Sequence, residues 1–481
     1  MSDAGFPPDA GDALPKGDGI SHGRLRRTAP LAALTARTAG EAVVVGLRSK
    51  LTGADSTEFH VRTAERYTEL LGRSKGALMK AGQMLSFVSL GPVVGEDFQS
   101  IYQAALTRLR NDAPPMAPEL ARAVLERELA RRTESAFAQF EWEPLAAASI
   151  GQVHAARLHD GRAVAVKIQY PGVAAAIRAD LKNNELLATF LGLINGLSPR
   201  RLEFDLRGAA QEMSVRIIEE LYYRLEAANQ AEFADIYRGH PFIHVPEVIG
   251  ELCTDRVLTQ ELVQGKTWSD ALASEQELRN SWGEAIYRFV FGTYHRFHVF
   301  HADPHPGNYL FHDDGSVSFL DFGCVKRFIR EQAEMMNIIV RECLRGDVLA
   351  TWKAAVEIGF FSSSGDVSPQ EVLDYFREPF EMYWAEQPFT VTPEYVAAFI
   401  DRRFSPTGPS GNAFRHAVAP PEYTLTSRIE MGEMSVLAGL RATNYWGSIA
   451  AERFENAPPL TAMGKLESEF FADRQAASNH A

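Results

Sequence analysis

The spacing of hydrophobic residues predicts helices at both ends of the chain and a strand-rich stretch between them. Apolar residues recur every three or four positions from Leu31 to Val88, which predicts a helical N-terminal segment. The prolines of Asp112–Pro118 cannot continue a helix, so we expect a linker there and a new helix over Glu119–Arg132. Beyond Glu331 the pattern is helical again, apart from a loop at Ser405–Pro421 rich in proline, glycine and serine.

The middle of the chain contains two predicted hairpins. Val153–Leu158 and Ala163–Ile168 alternate apolar and small residues around a turn that contains Asp160 and Gly161. Asn308–Phe311 and Val317–Leu320 flank a second turn of the same kind. Two more β-rich runs and three amphipathic helices are predicted at Ile243–Val248, Arg256–Leu262, Ala174–Ile194, Phe204–Tyr237 and Leu278–Val299.

Composition excludes several classes of protein. The net charge of −13, from 49 Lys and Arg against 62 Asp and Glu, repels polyphosphate strands, so we expect no nucleic-acid partner. Three scattered cysteines cannot form a disulfide framework. Residues 1–22 lack the apolar core of a signal peptide, and no apolar run is long enough to cross a bilayer. We therefore expect a cytoplasmic protein that is neither secreted nor membrane-spanning.

Positive charge is concentrated near the N-terminus. Gly23–Lys80 holds eleven Lys and Arg against five Asp and Glu in an otherwise acidic chain. Such a patch is compatible with a solvated helical face or with a surface for anionic membranes or a partner. Peripheral membrane contact through these helices therefore stays open.

Two segments in the first half of the chain predict contacts to phosphate. Lys167 ends the strand Val164–Lys167, where an ammonium group can reach phosphate oxygens, as the strand lysine of protein kinases does. The preceding stretch has the frame of a kinase glycine-rich loop, GxGxxGxV, with alanine at the first two glycine positions. Its candidate nucleotide-binding residues are Ala146, Ala147, Ala148, Ser149, Gly151 and Val153.

Two later segments predict a metal and a catalytic carboxylate. Asp303 and Asn308 are spaced as in the kinase catalytic loop HRDxxxxN, and Asp321 begins an Asp-Phe-Gly tripeptide after the second hairpin. Asn308 and Asp321 offer oxygen ligands that suit Mg²⁺ beside the β- and γ-phosphates. Asp303 is placed to orient the attacking nucleophile.

A competing interpretation of this region is a transition-metal site. His295, His298, His301 and His305 are close in sequence, and the first three are spaced three apart on a helix. Three-residue steps drift around a helix and His305 stands between two prolines, so a structural role for His301 and His305 in the catalytic loop is favoured.

These segments, together with the KxGQ motif formed by Lys80, Gly82 and Gln83, resemble the AarF/UbiB family of atypical protein-kinase-like proteins over Leu71–Phe328. The resemblance implies an α+β, two-lobed, protein-kinase-like fold with a small β-rich N-lobe and a helical C-lobe. It also implies ATP or ADP and Mg²⁺ as cofactors. Together with the patterns above, the resemblance gives the expected organisation: a disordered tail at 1–22, a helical KxGQ extension at 23–111, the N-lobe at 119–265, the catalytic core of the C-lobe at 266–330 and a helical C-terminal region at 331–481.

The resemblance also assigns roles to single residues. It implies that Glu226 pairs with Lys167, and that Glu261 and Val263 belong to the nucleotide site. In the family the KxGQ lysine folds back towards the carboxylates of an ExD motif. Here Tyr222 stands in place of the final aspartate, which leaves Glu220 as the partner of Lys80. The implied regulatory residues are Lys80, Gly82, Gln83 and Glu220.

The expected function follows from what the catalytic segments contain and lack. No long activation segment or APE motif follows Gly323, and Ala302 replaces the catalytic-loop arginine. We therefore expect a Mg²⁺-dependent ATPase or small-molecule kinase rather than a protein kinase acting in trans. The family resemblance implies that this activity supports isoprenoid lipid (quinone) metabolism. The open alternatives are a nucleotide-binding pseudokinase scaffold and a protein kinase. Candidate partners besides nucleotide are an isoprenoid lipid, an anionic membrane surface and quinone-biosynthesis proteins.

Overall fold

The computed structural model describes most of the chain from residue 115 onwards. The described residues are 62, 115–148, 150–181, 211, 214–215, 217–404, 408–418, 420, 423 and 426–479. The predicted N-terminal tail, the KxGQ residues Lys80, Gly82 and Gln83, and Ser149 lie outside them. Within these ranges no helix combines the length and apolarity needed to span a bilayer.

The first lobe is built on a five-stranded antiparallel sheet. Its strands are β1 (Gln139–Phe140), β2 (Ala146–Ala148), β3 (Gly151–Arg157), β4 (Ala163–Gln169) and β6 (Val257–Glu261). They run in the order β1-β3-β4-β6, and β2 pairs with β3. The first predicted hairpin is confirmed, with Val153 opposite Lys167 across β3 and β4.

Two helices cover one face of this sheet. Helix α1 (Pro118–Leu129) begins with proline in its first turn and is capped at its C-terminal end by Ala130, whose backbone is left-handed. It precedes the short helix α2 (Thr133–Ala136). The buried side chains of α1, such as Val124 and Leu125, pack with Val164 and Val166 of the sheet in one hydrophobic core.

The second lobe is mainly helical. Helices α3 (Val173–Leu181) and α4 (Tyr223–Tyr237) come between β4 and β6 in the chain, and the second lobe begins with α5 (Trp268–Leu272) and α6 (Gln276–Phe297). The later helices are α7 (Arg330–Arg345), α8 (Val348–Glu357), α9 (Pro369–Arg377), α10 (Glu381–Trp384), α11 (Pro393–Phe404), α12 (Gly411–His416), α13 (Thr426–Leu440), α14 (Trp446–Phe454) and α15 (Ala462–Asn479). Helix α6 runs through the large core of this lobe, with Trp282 and Phe289 fully buried.

Three small sheets complete the second lobe. Strands β5 (Ile243–His244), β8 (Tyr309–Phe311) and β9 (Val317–Phe319) form one sheet, β7 (Val299–His301) and β10 (Val325–Arg327) the second, and β11 (Phe389–Thr390) and β12 (Thr443–Asn444) the third. The second predicted hairpin is therefore confirmed as β8 and β9. The β7–β10 pair brackets the segment that carries Asp303, Asn308 and Asp321.

The structure corrects several sequence predictions. The helix predicted over Phe204–Tyr237 is interrupted, because Tyr222 is extended and α4 begins only at Tyr223. The β-rich run Ile243–Val248 forms a strand over two residues only, and it pairs in parallel with β9 of the second lobe. The region after Glu331 contains the β11–β12 pair. The predicted loop Ser405–Pro421 includes helix α12.

Candidate active site

An ion pair between the sheet of the first lobe and helix α4 forms the centre of the site. Lys167 near the end of β4 donates to both carboxylate oxygens of Glu226 on α4, with Nζ at 2.8 Å from Oε1 and 2.9 Å from Oε2. The same Nζ lies 3.4 Å from Oδ2 of Asp321. The side chains of Lys167 and Glu226 are 16% and 5% exposed. The structure therefore brings together three predicted residues that are far apart in sequence.

Burial shapes the protonation of this group. Burial raises the pKa of Glu226 to about 7, although the nearby Lys167 ammonium opposes the shift. Burial alone would lower the pKa of Lys167, but the charges of Asp321 and Glu226 raise it well above its ordinary value. The raised pKa favours the charged form of Lys167, which donates to Glu226 and lies beside Asp321.

Contacts with α4 and β7 hold the Asp-Phe-Gly tripeptide in place. Phe322 is fully buried, with its ring centroid 5.0 Å from that of Phe233 on α4. Asn229 Nδ2 donates to the backbone oxygen of Phe322 at 3.0 Å. His301 Nε2 lies 2.6 Å from the backbone oxygen of Asp321. Burial lowers the pKa of His301, so its ring is neutral and holds the tripeptide through this hydrogen bond.

The catalytic loop holds Asp303 beside Asn308. Asn308 Nδ2 donates to Asp303 Oδ2 at 3.1 Å, and the backbone nitrogen of Leu320 donates to the backbone oxygen of Asn308 at 2.9 Å. Leu320 directly precedes Asp321, so Asn308 and Asp321 sit at adjacent positions where β9 ends. His305 accepts a hydrogen bond from the backbone of Gly307 through Nδ1 at 2.9 Å, which closes the loop.

The donor set at this position suits a hard divalent cation. Because Asn308 turns its amide nitrogen towards Asp303, its carbonyl oxygen points to the opposite side of the amide group. Asp321 Oδ1 accepts from the backbone nitrogen of Gly323 at 2.9 Å, which orients the carboxylate. Oxygen ligands from an amide and a carboxylate are those that Mg²⁺ prefers. The residues present therefore fit Mg²⁺.

The Ala-rich segment folds back on the sheet as the predicted loop requires. Ala146, Ala147 and Ala148 of β2 lie opposite Val153, Gln152 and Gly151 of β3, respectively. A Cβ on Gly151 would lie 2.3 Å from the backbone oxygen of Ile168 and 2.9 Å from the hydroxyl of Tyr223. Gly151 is thus needed for close packing of β3 on β4, in addition to any contact with nucleotide.

Two residues at the site were missed by sequence reasoning. Tyr223 is almost fully buried, and its ring centroid lies 4.9 Å from Lys167 Nζ, close enough for a cation–π contact. Asn229 links the Asp-Phe-Gly backbone to Arg327, whose Nη2 donates to Asn229 Oδ1 at 3.0 Å. Tyr223, Glu226 and Asn229 are spaced three apart on α4, and this shared helix face was the signal available in the sequence.

The other candidate nucleotide residues lie where the sheet leads into the second lobe. Glu261 ends β6, its Oε2 accepts from the backbone nitrogen of Glu247 at 3.3 Å, and its side chain is 41% exposed. Val263 follows β6 and is half-buried. Their place in the connection between the lobes is compatible with nucleotide contact, which stays a prediction.

Of the predicted regulatory residues, only Glu220 lies within the described part of the chain. Its Cγ would be 3.7 Å from a Cβ on Gly323, so it lies beside the Asp-Phe-Gly tripeptide. Its charge also helps to raise the pKa of Glu226, although burial is the main cause. Tyr222, at the ExD aspartate position, accepts a hydrogen bond from Arg178 Nη2 at 3.3 Å. The predicted contact between Glu220 and Lys80 lies outside the described residues.

The histidine metal site that competed with this interpretation finds no support. Within the described ranges, no group of three or more His, Cys, Asp or Glu side chains is placed to hold a metal ion. His301 and His305 make the loop contacts given above, and His295 packs its ring edge-on against Phe454 at 5.7 Å.

The segment after Gly323 is short. Strand β10 starts at Val325, and α7 already begins at Arg330. Ala302 is fully buried, and its backbone nitrogen donates to the oxygen of Cys324 at 2.9 Å. This pairing leaves no extended platform between Gly323 and α7 on which a peptide could dock.

Known proteins share both this sequence pattern and this fold. The family model described as "ABC1 atypical kinase-like domain" matches residues 108–354. The rat protein "Atypical kinase COQ8B, mitochondrial" is 35% identical over 286 residues, which cover 59% of this chain and 52% of the relative. The yeast protein "Atypical kinase COQ8, mitochondrial" from Saccharomyces cerevisiae is 29% identical and covers 62% of this chain and 58% of the relative. The chain thus spans about half the length of these curated relatives.

A solved structure extends the similarity to most of the chain. The chain resembles Rv3197 from Mycobacterium tuberculosis, solved in complex with erythromycin, with 28% identity and a TM-score of 0.58. The match covers 86% of this chain and 98% of that one. The expected two-lobed α+β kinase-like fold is confirmed, and so is the resemblance on which it was based. The chain belongs to the ABC1 family of atypical kinase-like proteins.

Proposed function

We propose that this protein binds ATP with Mg²⁺ and transfers or hydrolyses its γ-phosphate. The observation that carries the proposal is the contact of Lys167 Nζ with Glu226 and Asp321, one from each of two segments that kinases bring together around nucleotide. A scaffold that only packs two lobes has no need of a buried ammonium between two carboxylates, because burying charges is costly.

Each residue then has a defined role. Lys167, oriented by Glu226, contacts the α- and β-phosphates. Asp303, held by Asn308, accepts a hydrogen bond from the attacking hydroxyl or water and orients it towards the γ-phosphate. Asn308 and Asp321 would hold Mg²⁺, which when bound neutralises charge on the phosphates.

We propose that a small molecule or water accepts the γ-phosphate. The short connection from Gly323 to α7 supports this proposal, since protein kinases dock peptides on a longer segment there. The AarF/UbiB resemblance supports a role in isoprenoid lipid (quinone) metabolism. Contact with a quinone-like lipid or an anionic membrane is part of the proposal.

The test is Mg²⁺-dependent release of ADP from ATP by the purified full chain. Asp321→Asn should abolish turnover, because the amide removes the negative charge that holds the metal. Asp314→Asn is the matched control, since this exposed carboxylate caps the β8–β9 turn by accepting from the backbone nitrogen of Ser316. Chelation of Mg²⁺ should reproduce the Asp321→Asn result.

Three further results distinguish a lipid-linked enzyme from a protein kinase and from a pseudokinase scaffold. Turnover that rises with added quinone-like lipid or anionic liposomes supports the lipid role. Phosphate transfer to an added protein, lost in Asp303→Asn, would identify a protein kinase instead. Absence of turnover together with nucleotide-induced thermal stabilisation would overturn the enzymatic proposal in favour of a pseudokinase scaffold.

A further inference from the structure

A cavity lies in the helical lobe, among side chains to which the proposed reaction gives no role. Its volume is about 100 Å³, and it is enclosed by residues of α6, α7, α9, α10, α11, α13 and α14. Apolar and aromatic side chains form most of the wall. An apolar cavity of roughly 150 Å³ in a protein core is known to bind benzene, so a cavity of this size suits a group no larger than a single ring.

The wall contains flat, rigid surfaces that suit a ring. Tyr294 and Phe300 stack with their centroids 4.2 Å apart and their planes almost parallel. Trp384, also part of the wall, is 39% exposed and gives the cavity an edge that faces solvent. Aromatic walls favour an aromatic or cyclic guest, because offset and edge-on ring contacts add to simple burial.

One side of the cavity is polar and incompletely satisfied. Glu430 contributes to the wall, and its Oε2 is buried without a hydrogen-bond partner among the described residues. Nearby, Tyr287 donates through its hydroxyl to the hydroxyl of Tyr383 at 2.9 Å. A buried carboxyl oxygen without a partner is rare in folded proteins and indicates a missing water or ligand group.

The charges around the cavity disfavour an ionic guest. Arg377 and Arg403 also contribute to the wall and would repel a cation, whereas an anionic group placed directly against Glu430 would be repelled by its carboxylate. Burial raises the pKa of Glu430, so its carboxyl becomes protonated at a higher pH than an exposed one does. A hydroxyl group both donates and accepts, and can therefore pair with Glu430 in either state.

We propose that this cavity is a binding site for an uncharged amphiphile with a single ring and one hydroxyl group. The ring lies against the aromatic wall, and the hydroxyl hydrogen bonds to Oε2 of Glu430. The remainder of a larger ligand would leave the cavity beside Trp384. The inference does not depend on the proposed nucleotide chemistry, since binding is measured without nucleotide.

The test compares two probes that differ only in one hydroxyl group. Dissociation constants of 4-fluorobenzyl alcohol and 4-fluorotoluene for the full chain are measured by fluorine NMR titration. The wild type should bind the alcohol at least about fivefold more tightly, the effect of one net hydrogen bond. Glu430→Leu replaces the carboxyl group with an apolar side chain of similar size and should remove this preference. Glu331→Leu, a substitution at an exposed position in the first turn of α7, is the matched control and should retain it.

Cavity-filling variants locate the binding. Val340→Phe should raise the dissociation constants of both probes by about tenfold or more, because the added ring occupies the site. Leu344→Trp repeats the experiment from another position of the wall, and the thermal unfolding of each variant checks that it is folded. The proposal is overturned if the wild type shows no saturable binding of the alcohol, if Glu430→Leu keeps the preference, or if folded filling variants bind as the wild type does.

Discussion

Gly432 of α13 lies directly against Pro304, the residue that follows Asp303 in the catalytic loop. A Cβ on Gly432 would lie 2.7 Å from Cγ of Pro304 and 3.2 Å from its backbone oxygen. Helix α13 belongs to the C-terminal region, for which the sequence suggests no chemistry. This contact gives that region a role, because it sets how far the catalytic loop extends towards the helical core.

We expect Gly432→Val to displace the loop. Overpacking at a tight backbone contact costs about 1–3 kcal/mol, so the free energy of unfolding should fall by about that amount. Turnover of ATP should fall by about tenfold or more, since small displacements of positioning groups have large effects on rate. Urea unfolding and ADP release measure the two effects. Ser435→Ala, at an exposed position on the same helix, should change neither.

The Lys167–Glu226 pair should show strong coupling in a double-mutant cycle. Lys167→Met or Glu226→Met alone leaves a buried charge with less compensation, and each should lower the free energy of unfolding by about 3 kcal/mol. The double variant should lose much less than the sum, because neither charge remains. Urea unfolding without nucleotide provides the measurement.

The exposed pair Arg330–Glu334 is the control for this cycle. Its side chains are 77% and 52% exposed, so solvent screens the attraction. The same cycle at that pair should give a coupling of about 0–1 kcal/mol. Additive effects at Lys167 and Glu226 would contradict a structural ion pair.

The elements with strong local signals could be predicted from the sequence. The two hairpins were predicted because alternation and a turn containing Asp and Gly coincide in each. The break at Tyr222 could not be predicted, since no proline or glycine marks it and the amphipathic pattern runs on. Its cause is tertiary: the turn before α4 lets Glu220 and Glu226 both approach Gly323.

The candidate site was predictable as a set of residue types, but its supporting contacts were not. Lys167, Asp303, Asn308 and Asp321 stand at the spacings of the kinase catalytic segments, and their roles stay a prediction. Strand β5 was predicted as a strand, but its pairing with β9 depends on a contact between distant segments that a local pattern does not encode. The buried Oε2 of Glu430, which has no hydrogen-bond partner among the described residues, could not be predicted either, because its burial depends on how α13 packs.

Mild acid should destabilise the protein through His240. Its Nδ1 accepts from the backbone nitrogen of Ile243 at 3.1 Å, and its ring lies 4.7 Å from Phe470 of α15. Burial lowers the pKa of His240 to about 4, whereas the unfolded chain titrates near pH 6.5. The unfolded state therefore binds more protons, and stability that is present above about pH 6.5 is lost as the pH falls towards 4.

The size of this loss can be measured. From pH 7 to pH 5 the histidine should cost about 2 kcal/mol, from the linkage between pKa and stability. His240→Gln keeps an acceptor and should reduce the pH dependence of urea unfolding by about that amount. His416→Gln, at an exposed histidine, should leave the pH dependence as in the wild type. An unchanged slope in His240→Gln would show that His240 is not the titrating group.

Gly151 should tolerate no side chain, for reasons of packing. Gly151→Ala places a Cβ 2.3 Å from the backbone oxygen of Ile168, so β3 must move away from β4 and from Tyr223. We expect a loss of about 2–3 kcal/mol in the free energy of unfolding. Nucleotide binding should also weaken, since Lys167 lies on β4, which pairs with the displaced strand β3. Gly250→Ala is the control, because a Cβ there meets nothing within 4 Å. Adding Tyr223→Phe to Gly151→Ala relieves only the hydroxyl contact, so recovery should be partial. Full recovery would mean that Tyr223, and not the strand backbone, sets the requirement for glycine.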